Sequence, residues 1–247
     1  MVGYHASGIA SVPDHDRWLS RPEAERLNRL VHVKRRSESR LGRWTAKQAV
    51  ALAIGADLAT AELARIVIRN ATDGAPEVWS GDALAGTPIS MTDRADWAVV
   101  CVATDPMSLG CDLELVESRS SLFVRDYFTP SEQSWVGDRM DQHSLWANLI
   151  WSAKESALKV LREGLRRDTR SVEVRFNGEV VGPWRSFAVE ESDGDRFTGW
   201  WRQFDQFVLT VCADREIDPP EPLVDPSPLL GAVPSHSWMG RLPGNAG

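Results

Sequence analysis

Three acidic side chains and a lysine stand at spacings that could bind a cation beside a phosphate ester. Asp112 and Glu114 are separated by one residue in GCDLELV, and Glu155 and Lys159 are four residues apart in WSAKESALK. Residues i and i+2 of a strand point to the same face, and so do residues i and i+4 of a helix. Three carboxylates on neighbouring elements would suit a hard, oxygen-preferring cation such as Mg²⁺, which also takes phosphate oxygens and water.

Each of these residues also has an interpretation without function. Two carboxylates on one strand face are common at a solvated edge, and Glu155 with Lys159 would form a helix-surface ion pair worth about 0.2–0.5 kcal/mol. Glu132 and Thr129 fit a capping box in FTPSE. The order of the motifs is more specific than any one of them: G-x-D-x-E, then an acid in FTPSE, then W-x-x-K-E-x-x-x-K.

Helices must position several of these side chains. The segment SRPE predicts a helix start with Ser20 as N-cap, and a second helix is expected from about Ser37 to Ala53. TPSEQSWV predicts another helix start, with Thr129 as N-cap and a proline at the first helical position. A longer helix is expected over residues 149–162.

Strand patterns fill much of the remaining sequence. Apolar and β-branched runs predict strands over residues 64–70, 97–103, 110–116, 171–176, 187–190, 197–204 and 207–212. Residues 72–79, TDGAPEVW, are expected to form a turn region, and SMTDR at 90–94 is expected to be a loop.

A repeat indicates how the chain is organised. WTAKQ at 44–48 aligns with WSAKE at 151–155, and the apolar run 97–105 matches 206–214 in the same order. Repeated segments in the same order indicate a duplicated unit. Gln48 then falls on Glu155.

We therefore predict an α+β fold built as two similar helix-plus-antiparallel-sheet halves. The expected boundaries are residues 1–108 for the N-terminal half and 109–213 for the C-terminal half. Residues 214–247 hold half of the 14 prolines and are expected to form an irregular, Pro-rich tail, with Trp238 as a residue that could dock it onto the body.

Composition narrows the function classes. The chain has 247 residues and a net charge of −7, which argues against general nucleic-acid binding. The segment from Arg17 to Lys47 nevertheless holds ten Lys or Arg against three Glu, which fits either an anionic ligand or a solvated helix face. No apolar run approaches the roughly 18 residues of a membrane helix, and the N-terminus has no signal-peptide pattern, so we expect a cytoplasmic protein.

Cysteine usage points to a reducing compartment. Cys101, Cys111 and Cys212 form no C-x-x-C pair. We expect all three to be reduced and structural.

Three motifs resemble one family. GCDLE at 110–114, DYFTPSE at 126–132 and WSAKESALK at 151–159 are similar to the signature motifs of the 4′-phosphopantetheinyl transferases. The resemblance is to the larger, surfactin-synthetase-activating type, in which one chain holds two similar halves, and it covers most of residues 20–213. It implies an active site at the junction of the halves, with only one complete set of metal ligands.

The resemblance implies a reaction and its catalytic residues. The phosphopantetheine arm of coenzyme A would be transferred to a serine of an apo acyl or peptidyl carrier protein, with release of 3′,5′-ADP. Asp112, Glu114 and Glu155 would hold Mg²⁺ against the coenzyme A pyrophosphate. Glu132 is the expected general base for the serine hydroxyl, and Lys159 would stabilise or protonate the leaving group.

The resemblance also implies contacts with coenzyme A. The residues expected to make them are Arg36, Arg40, Lys47, Ser90, Thr92, Arg94 and Lys154. One departure concerns the segment SMTDR, because the family often has SLSHS there, with the histidine reaching the 3′-phosphate. Asp93 takes that position here and cannot donate to a phosphate while ionised. Either Arg94 supplies the positive charge, or this segment binds the adenosine differently, with Ser90 and Thr92 as polar contacts.

Two other functions stay open at this point. A catalytically silent module that binds coenzyme A or a carrier protein would have no use for the metal ligands, whereas a metal-dependent phosphohydrolase would use water in place of the serine. We expect a monomer that binds neither nucleic acid nor membrane. The carrier is not specified, because basic and apolar residues near Arg119, Phe123 and Arg125 could meet the acidic helix of any carrier class.

Overall fold

A computed structural model describes residues 1–237 of the chain and contains both helices and antiparallel sheets. The strands are β1 (Val2–Gly8), β2 (Ile66–Asn70), β3 (Pro76–Ser80), β4 (Ala83–Leu84), β5 (Ile89–Arg94), β6 (Trp97–Ala103), β7 (Leu109–Leu115), β8 (Val172–Val181), β9 (Trp184–Glu191), β10 (Arg196–Phe204), β11 (Phe207–Ala213) and β12 (Glu221–Pro222). The α-helices are α1 (Arg21–Asn28), α2 (Val33–Ala53), α3 (Thr60–Leu63), α4 (Ser121–Tyr127), α5 (Pro130–Gly137) and α6 (His143–Val160). The predicted α+β class is confirmed.

Two main sheets and one small sheet form the body. The first sheet has the order β12-β1-β6-β5, the second has the order β7-β11-β10-β9-β8, and the small sheet is β2-β3-β4. Helix α2 packs on β1 and β6, and helix α6 packs on β7 and β11. Neighbouring strands are antiparallel, except that β12 runs parallel to β1.

The main core lies between the first and second sheets. It contains the fully buried side chains of Val99 and Cys101 from β6, Cys111 from β7 and Leu209 from β11. Burial of apolar surface at about 25 cal/mol per Å² is the main force that holds the two sheets together. All three cysteines are free and buried, as expected from the sequence.

Strands β5 and β7 meet where the two main sheets adjoin, and side chains join them. The backbone N–H of Cys111 donates to Ser90 Oγ at 2.9 Å, and the N–H of Leu113 donates to Thr92 Oγ1 at 3.1 Å. Two hydroxyls therefore satisfy backbone donors on β7 that no neighbouring strand pairs with on that side.

Glycine at position 110 lets β7 approach helix α6 closely. A Cβ atom at Gly110 would lie 1.9 Å from the carbonyl oxygen of Ser156. No side chain fits at this distance, so the first residue of the G-x-D-x-E motif is required by helix–strand packing rather than by a turn.

Each of the two long helices, α2 and α6, contains a buried lysine that pairs with the capping-box glutamate of a short helix. Lys47 Nζ lies 2.7 Å from Glu23 Oε2, and Lys154 Nζ lies 2.8 Å from Glu132 Oε2. Each glutamate closes a capping box at the start of a short helix, as the sequence predicts. Each lysine also donates to two backbone carbonyls, so its charge is solvated inside the fold.

Several predicted elements differ from the structure. The segment SMTDR is strand β5 and not a loop, because β6 pairs with it along its whole length. Residues 76–80 are strand β3, so only the first part of the predicted turn region 72–79 is a turn. Helices α2 and α6 begin at Val33 and His143, earlier than predicted.

Strand β1 was absent from the predicted elements. Val2, Tyr4 and Ala6 alternate with residues whose side chains are small or polar, which is a strand pattern. The short length of this segment and its two glycines weaken that signal.

The tail is largely irregular as far as it is described. Within residues 214–237, β12 pairs with β1, and Leu229 is fully buried in the main core. The predicted docking of Trp238 lies outside the described residues. In the described part of the chain, no helix combines the length and apolar character needed to cross a membrane.

Candidate functional site

Asp112 and Lys159 form the centre of a charged site beside the junction of β5 and β7. Lys159 Nζ lies 2.9 Å from Asp112 Oδ1 and donates to the carbonyl of Cys111 at 2.7 Å. Thr92 Oγ1 donates to the same carboxylate oxygen at 3.1 Å. Burial alone would lower the pKa of Lys159, but the carboxylate of Asp112 raises it above its ordinary value, so the ammonium stays charged near neutral pH.

Glu114, two residues along the same strand, is held by two arginines. Its Oε2 lies 3.0 Å from Arg119 NH2 and 3.4 Å from Arg94 Nε. Burial and the nearby charge of Asp112 raise the pKa of Glu114 to about 7, although both arginines act in the opposite direction. The side chain therefore titrates near neutral pH.

Glu155 approaches the same centre from helix α6. Burial and the negative charge of Asp112 raise the pKa of Glu155 to about 7, against the opposing effect of Lys159. Glu155 also adds to the negative field at Glu114. The three carboxylates that the sequence predicts as metal ligands therefore influence one another electrostatically, and their role as ligands stays a prediction.

One carboxylate oxygen of Asp112 is suited to bind a small divalent cation. Asp112 Oδ2 is buried and accepts no hydrogen bond from the described residues. A buried carboxylate oxygen with no donor costs free energy, and a cation would relieve this cost together with the repulsion among the three acids. Within residues 1–237, however, no three His, Cys, Asp or Glu side chains already converge as a metal-binding group.

A cavity of about 530 Å³ opens beside Lys159. Ser90 and Met91 of β5 line it, together with residues Asp73 to Glu77 from the turn after β2 and the start of β3. Arg162 and Arg166, just after helix α6, complete it. The cavity is large enough for a nucleotide-sized ligand whose phosphate groups could reach Lys159.

The structure does not support the predicted roles of Glu132 and Lys154. Glu132 is 2% exposed, and its oxygens accept from Lys154, from the N–H of Thr129 and from the N–H of Val174. Burial raises the pKa of Glu132 and lowers that of Lys154, while their mutual attraction opposes both shifts. A general base and a phosphate ligand must both be accessible to the substrate. Glu132 and Lys154 form a buried ion pair, and their predicted catalytic and binding roles stay predictions.

Three predicted coenzyme A contacts in the basic segment also have other partners. Lys47 is fully buried against Glu23. Arg36 donates to the carbonyl of Leu30 at 2.7 Å, and Arg40 binds Asp16. None of the three lines the cavity.

Polar side chains of β5 contact either the backbone of β7 or the acidic residues of the site. Ser90 lines the cavity, but its hydroxyl is already used by β7, and Thr92 contacts Asp112. Arg94 binds Glu114 and Glu117, so it balances the acidic strand and is not directed at a phosphate as predicted. Asp93 is exposed.

Two positioning residues were missed by the sequence reasoning. Arg119, predicted only as a carrier contact, holds Glu114 and donates to Asn148 Oδ1 at 2.6 Å. Asn148 is fully buried and donates in turn to the carbonyl of Glu117. The signal available in the sequence was a single amide inside the apolar helical run WANLIW.

Comparisons with known proteins show which family this chain is similar to. Residues 108–212, which contain β7, α6 and all three carboxylates, match the model of the 4′-phosphopantetheinyl transferase superfamily. The chain is also similar to a 4′-phosphopantetheinyl transferase of Bacillus subtilis, with 25% identity over 221 residues that cover 86% of this chain and 91% of that protein. The two findings together support a transferase enzyme of the 4′-phosphopantetheinyl transferase superfamily.

Proposed function

We propose that the protein transfers the 4′-phosphopantetheine arm of coenzyme A to a serine of an apo acyl or peptidyl carrier protein and releases 3′,5′-ADP. The observation that carries the proposal is the position of Lys159, which binds Asp112 and also lines the cavity. The Lys159 ammonium therefore lies both beside the acidic residues and at the wall of a cavity that is large enough for a nucleotide. This arrangement suits transfer of a phosphoryl group from a diphosphate.

In this proposal, the cavity binds coenzyme A with its diphosphate toward Lys159. The serine oxygen forms a bond to the phosphorus that bears the pantetheine arm, and the bond from this phosphorus to the bridging oxygen breaks. Lys159 is positively charged and partly exposed, so it can neutralise the charge that develops on the departing 3′,5′-ADP.

Glu155 is the better candidate to accept the serine proton, because Glu132 is enclosed. Glu155 is partly exposed beside Lys159, so its carboxylate is accessible to the serine hydroxyl. Arg119 and Arg94 hold Glu114 in place, and Thr92 orients Asp112.

Asp112, Glu114 and Glu155 are the residues that would hold Mg²⁺. When bound, Mg²⁺ would neutralise the charge of the coenzyme A diphosphate. The acceptor oxygen without a donor on Asp112 and the raised pKa values of the two glutamates support this assignment.

A carrier protein would dock beside the site, and helix α4 offers a surface for it. Leu122 and Tyr127 are exposed apolar residues on this helix, and Arg125 presents a charge between them. An apolar surface with a basic residue fits the acidic helix of a carrier protein. The acids, Lys159 and the cavity come from one chain, which supports action as a monomer.

Mass measurement of carrier proteins tests the proposal. The protein is incubated with coenzyme A, Mg²⁺ and a panel of apo carriers from fatty-acid, polyketide and nonribosomal-peptide synthesis. A carrier that gains the mass of one phosphopantetheine group, with an equal amount of 3′,5′-ADP released, is the expected result.

Two other results would replace the proposal. If coenzyme A or a carrier binds but no carrier gains mass, the chain is a binding module. If 3′,5′-ADP is released in the absence of any carrier and at an unchanged rate in its presence, water is the acceptor and the protein is a phosphohydrolase.

A further inference from the structure

A second cavity, of about 800 Å³, lies beside the main core. Its apolar lining includes Val2 and Trp200, which belong to the main core, and Met107, which packs against it. The volume falls within the range of ~300–1,000 Å³ that is usual for ligand pockets. Neither Lys159 nor any of the three acids near it lines this space, so the proposed function leaves it without a role.

Part of the tail, residues 215–218, lines this second cavity. Two side chains of β10 hold that segment in place. Thr198 Oγ1 donates to the carbonyl of Arg215 at 3.0 Å, and Trp200 Nε1 donates to the carbonyl of Ile217 at 2.7 Å. The cavity is therefore formed before any ligand arrives, which reduces the entropy cost of binding.

The charged side chains around the second cavity include more acids than bases. Asp105 pairs with the amino group of Met1 at 3.1 Å, and Arg215 pairs with Asp214 at 3.4 Å. The other charged lining residues have no ion-pair partner within residues 1–237, and they are Glu179, Arg196, Glu216 and Asp218. Three carboxylates therefore face one guanidinium, and a ligand with an ammonium group is favoured over an anion.

Ser186 adds a polar group to the same cavity. Its side chain is 7% exposed, and its hydroxyl has no hydrogen-bond partner in the part of the chain that the structure describes. Ser186 on β9 lies directly opposite Trp200 on β10, so both side chains are on the face of the second sheet that packs in the main core. A buried hydroxyl without a partner is unfavourable, and a polar group of a ligand would relieve that cost.

We propose that the second cavity binds a small organic amine whose apolar body carries a second polar group. The ammonium group pairs with Glu216 and Asp218, the apolar body packs against Trp200, and the second polar group bonds to the hydroxyl of Ser186. This site does not depend on the proposed function, because none of these residues belongs to the catalytic machinery described above.

Met107 lines both cavities, so the two spaces adjoin. A single long ligand could therefore extend from one cavity into the other. Binding of the amine in the presence of coenzyme A, the proposed ligand of the cavity beside Lys159, distinguishes a separate site from such an extension.

Tyramine is the probe for this site, because it has an ammonium group, an aromatic body and a phenol hydroxyl. Tyrosol is the matched compound, in which a hydroxyl replaces the ammonium group. Isothermal titration of the full chain with each compound measures both affinities and the stoichiometry. We expect one tyramine per chain, bound at least about tenfold more tightly than tyrosol.

Three variants divide the site into its parts. Glu216→Gln combined with Asp218→Asn should weaken tyramine about tenfold and tyrosol less than about twofold. Ser186→Ala should weaken both compounds by about threefold to fivefold without lowering the melting temperature. Asp138→Asn combined with Asp141→Asn removes two exposed carboxylates that line neither cavity, and it should change neither affinity.

Equal affinities of the parent for tyramine and tyrosol would overturn the inference. So would an equal loss of tyramine binding in the two double variants, or parent-like binding of both compounds by Ser186→Ala. Saturating coenzyme A should leave tyramine binding intact, and its abolition would show that one ligand spans both cavities and that no separate amine site exists. Carrier modification by the Glu216, Asp218 double variant should continue at the parent rate, so these outcomes leave the proposed function unaffected.

Discussion

Lys154 and Glu132 form an ion pair of 2.8 Å inside the protein, where neither side chain is more than 2% exposed. Removing one partner leaves the other charge buried, which costs about 3–5 kcal/mol. We therefore expect Glu132→Gln and Lys154→Met each to lower the free energy of unfolding by about this amount. Urea denaturation followed by tryptophan fluorescence measures the loss.

The other half of the chain supplies a matched comparison for this prediction. Lys47→Met removes the partner of Glu23 at 2.7 Å and should cost a similar amount. The exposed pair of Arg21 and Glu25 should contribute less than about 1 kcal/mol. If Glu132→Gln kept the stability of the parent but abolished transfer, the residue would be the general base that its sequence motif suggested.

The variant Glu155→Gln distinguishes between two possible roles of Glu155, as a metal ligand and as the ion-pair partner of Lys159. The change preserves size and helix propensity, so folding should survive. Carrier modification should fall by at least about a hundredfold, because both metal binding and proton acceptance need the carboxylate. Single-turnover transfer over a range of Mg²⁺ concentrations, with a melting curve, measures both properties.

Gln48→Glu is the reciprocal control for this variant. Gln48 lies near His5 and Ser7 in the first sheet, and Leu52 occupies the sequence position that corresponds to Lys159. No second active site should arise from the change. A Glu155→Gln protein that transfers at the parent rate at every Mg²⁺ concentration would show that Glu155 only balances Lys159.

The raised pKa of Glu155 predicts a pH-dependent stability difference. The ordinary value is 4.5, whereas the folded protein has a pKa of about 7 at this residue. The unfolded chain therefore loses this proton first, and the contribution of Glu155 to stability declines as pH rises from about 4.5 to 7. The melting temperature of Glu155→Gln minus that of the parent, without metal, should increase over this range.

In the parent protein, divalent cations should offset the loss of stability that accompanies ionisation of Glu155 at higher pH. Protons compete with Mg²⁺ for Glu114 and Glu155, so Mg²⁺ should raise the melting temperature more at pH 8 than at pH 6. Thermal scans at both pH values, with and without Mg²⁺, provide the measurement. A Mg²⁺ effect that is equal at both pH values, or equally large in Glu155→Gln, would exclude these two carboxylates as the cation site.

Gly110→Ala should disrupt the packing of β7 on α6. The added Cβ would lie 1.9 Å from the carbonyl oxygen of Ser156, and backbone atoms on both sides would have to move. We expect a loss of at least about 3 kcal/mol, as for severe overpacking, and a displaced Asp112. Gly137→Ala, at a helical glycine with open space around it, is the control and should be neutral or stabilising. Equal melting temperatures for the two variants would contradict this account of the motif.

Local signals in the sequence predicted much of the fold. The capping boxes beginning at Ser20 and Thr129 fix two helix starts correctly, because the interaction is completed within four residues. Strand β5 was predicted as a loop, because Ser, Thr and Asp favour loops locally and only its pairing with β6 makes it a strand. The division into halves at residue 108 stays a prediction.

In the candidate site, the three acids and Lys159 were predicted together, but the surroundings of the other basic residues were not. Asp112, Glu114 and Glu155 follow from motif spacing. Burial distinguishes the basic residues: Lys154 is adjacent to Glu155 in the same motif, but its side chain lies in the core, paired with Glu132. Such orientations depend on tertiary packing, which the spacing of residues does not encode.

The hydroxyls of Ser90 and Thr92 have a consequence for the behaviour of the protein in concentrated solution. A strand at the border of a sheet can recruit a strand from another molecule and start aggregation. On β7, two of the available amide donors are already used by these hydroxyls, and on the far border of the first sheet β12 covers β1. Ser90→Ala with Thr92→Val would leave two amide donors on β7 without these acceptors, so we expect the double variant to self-associate more readily than the parent.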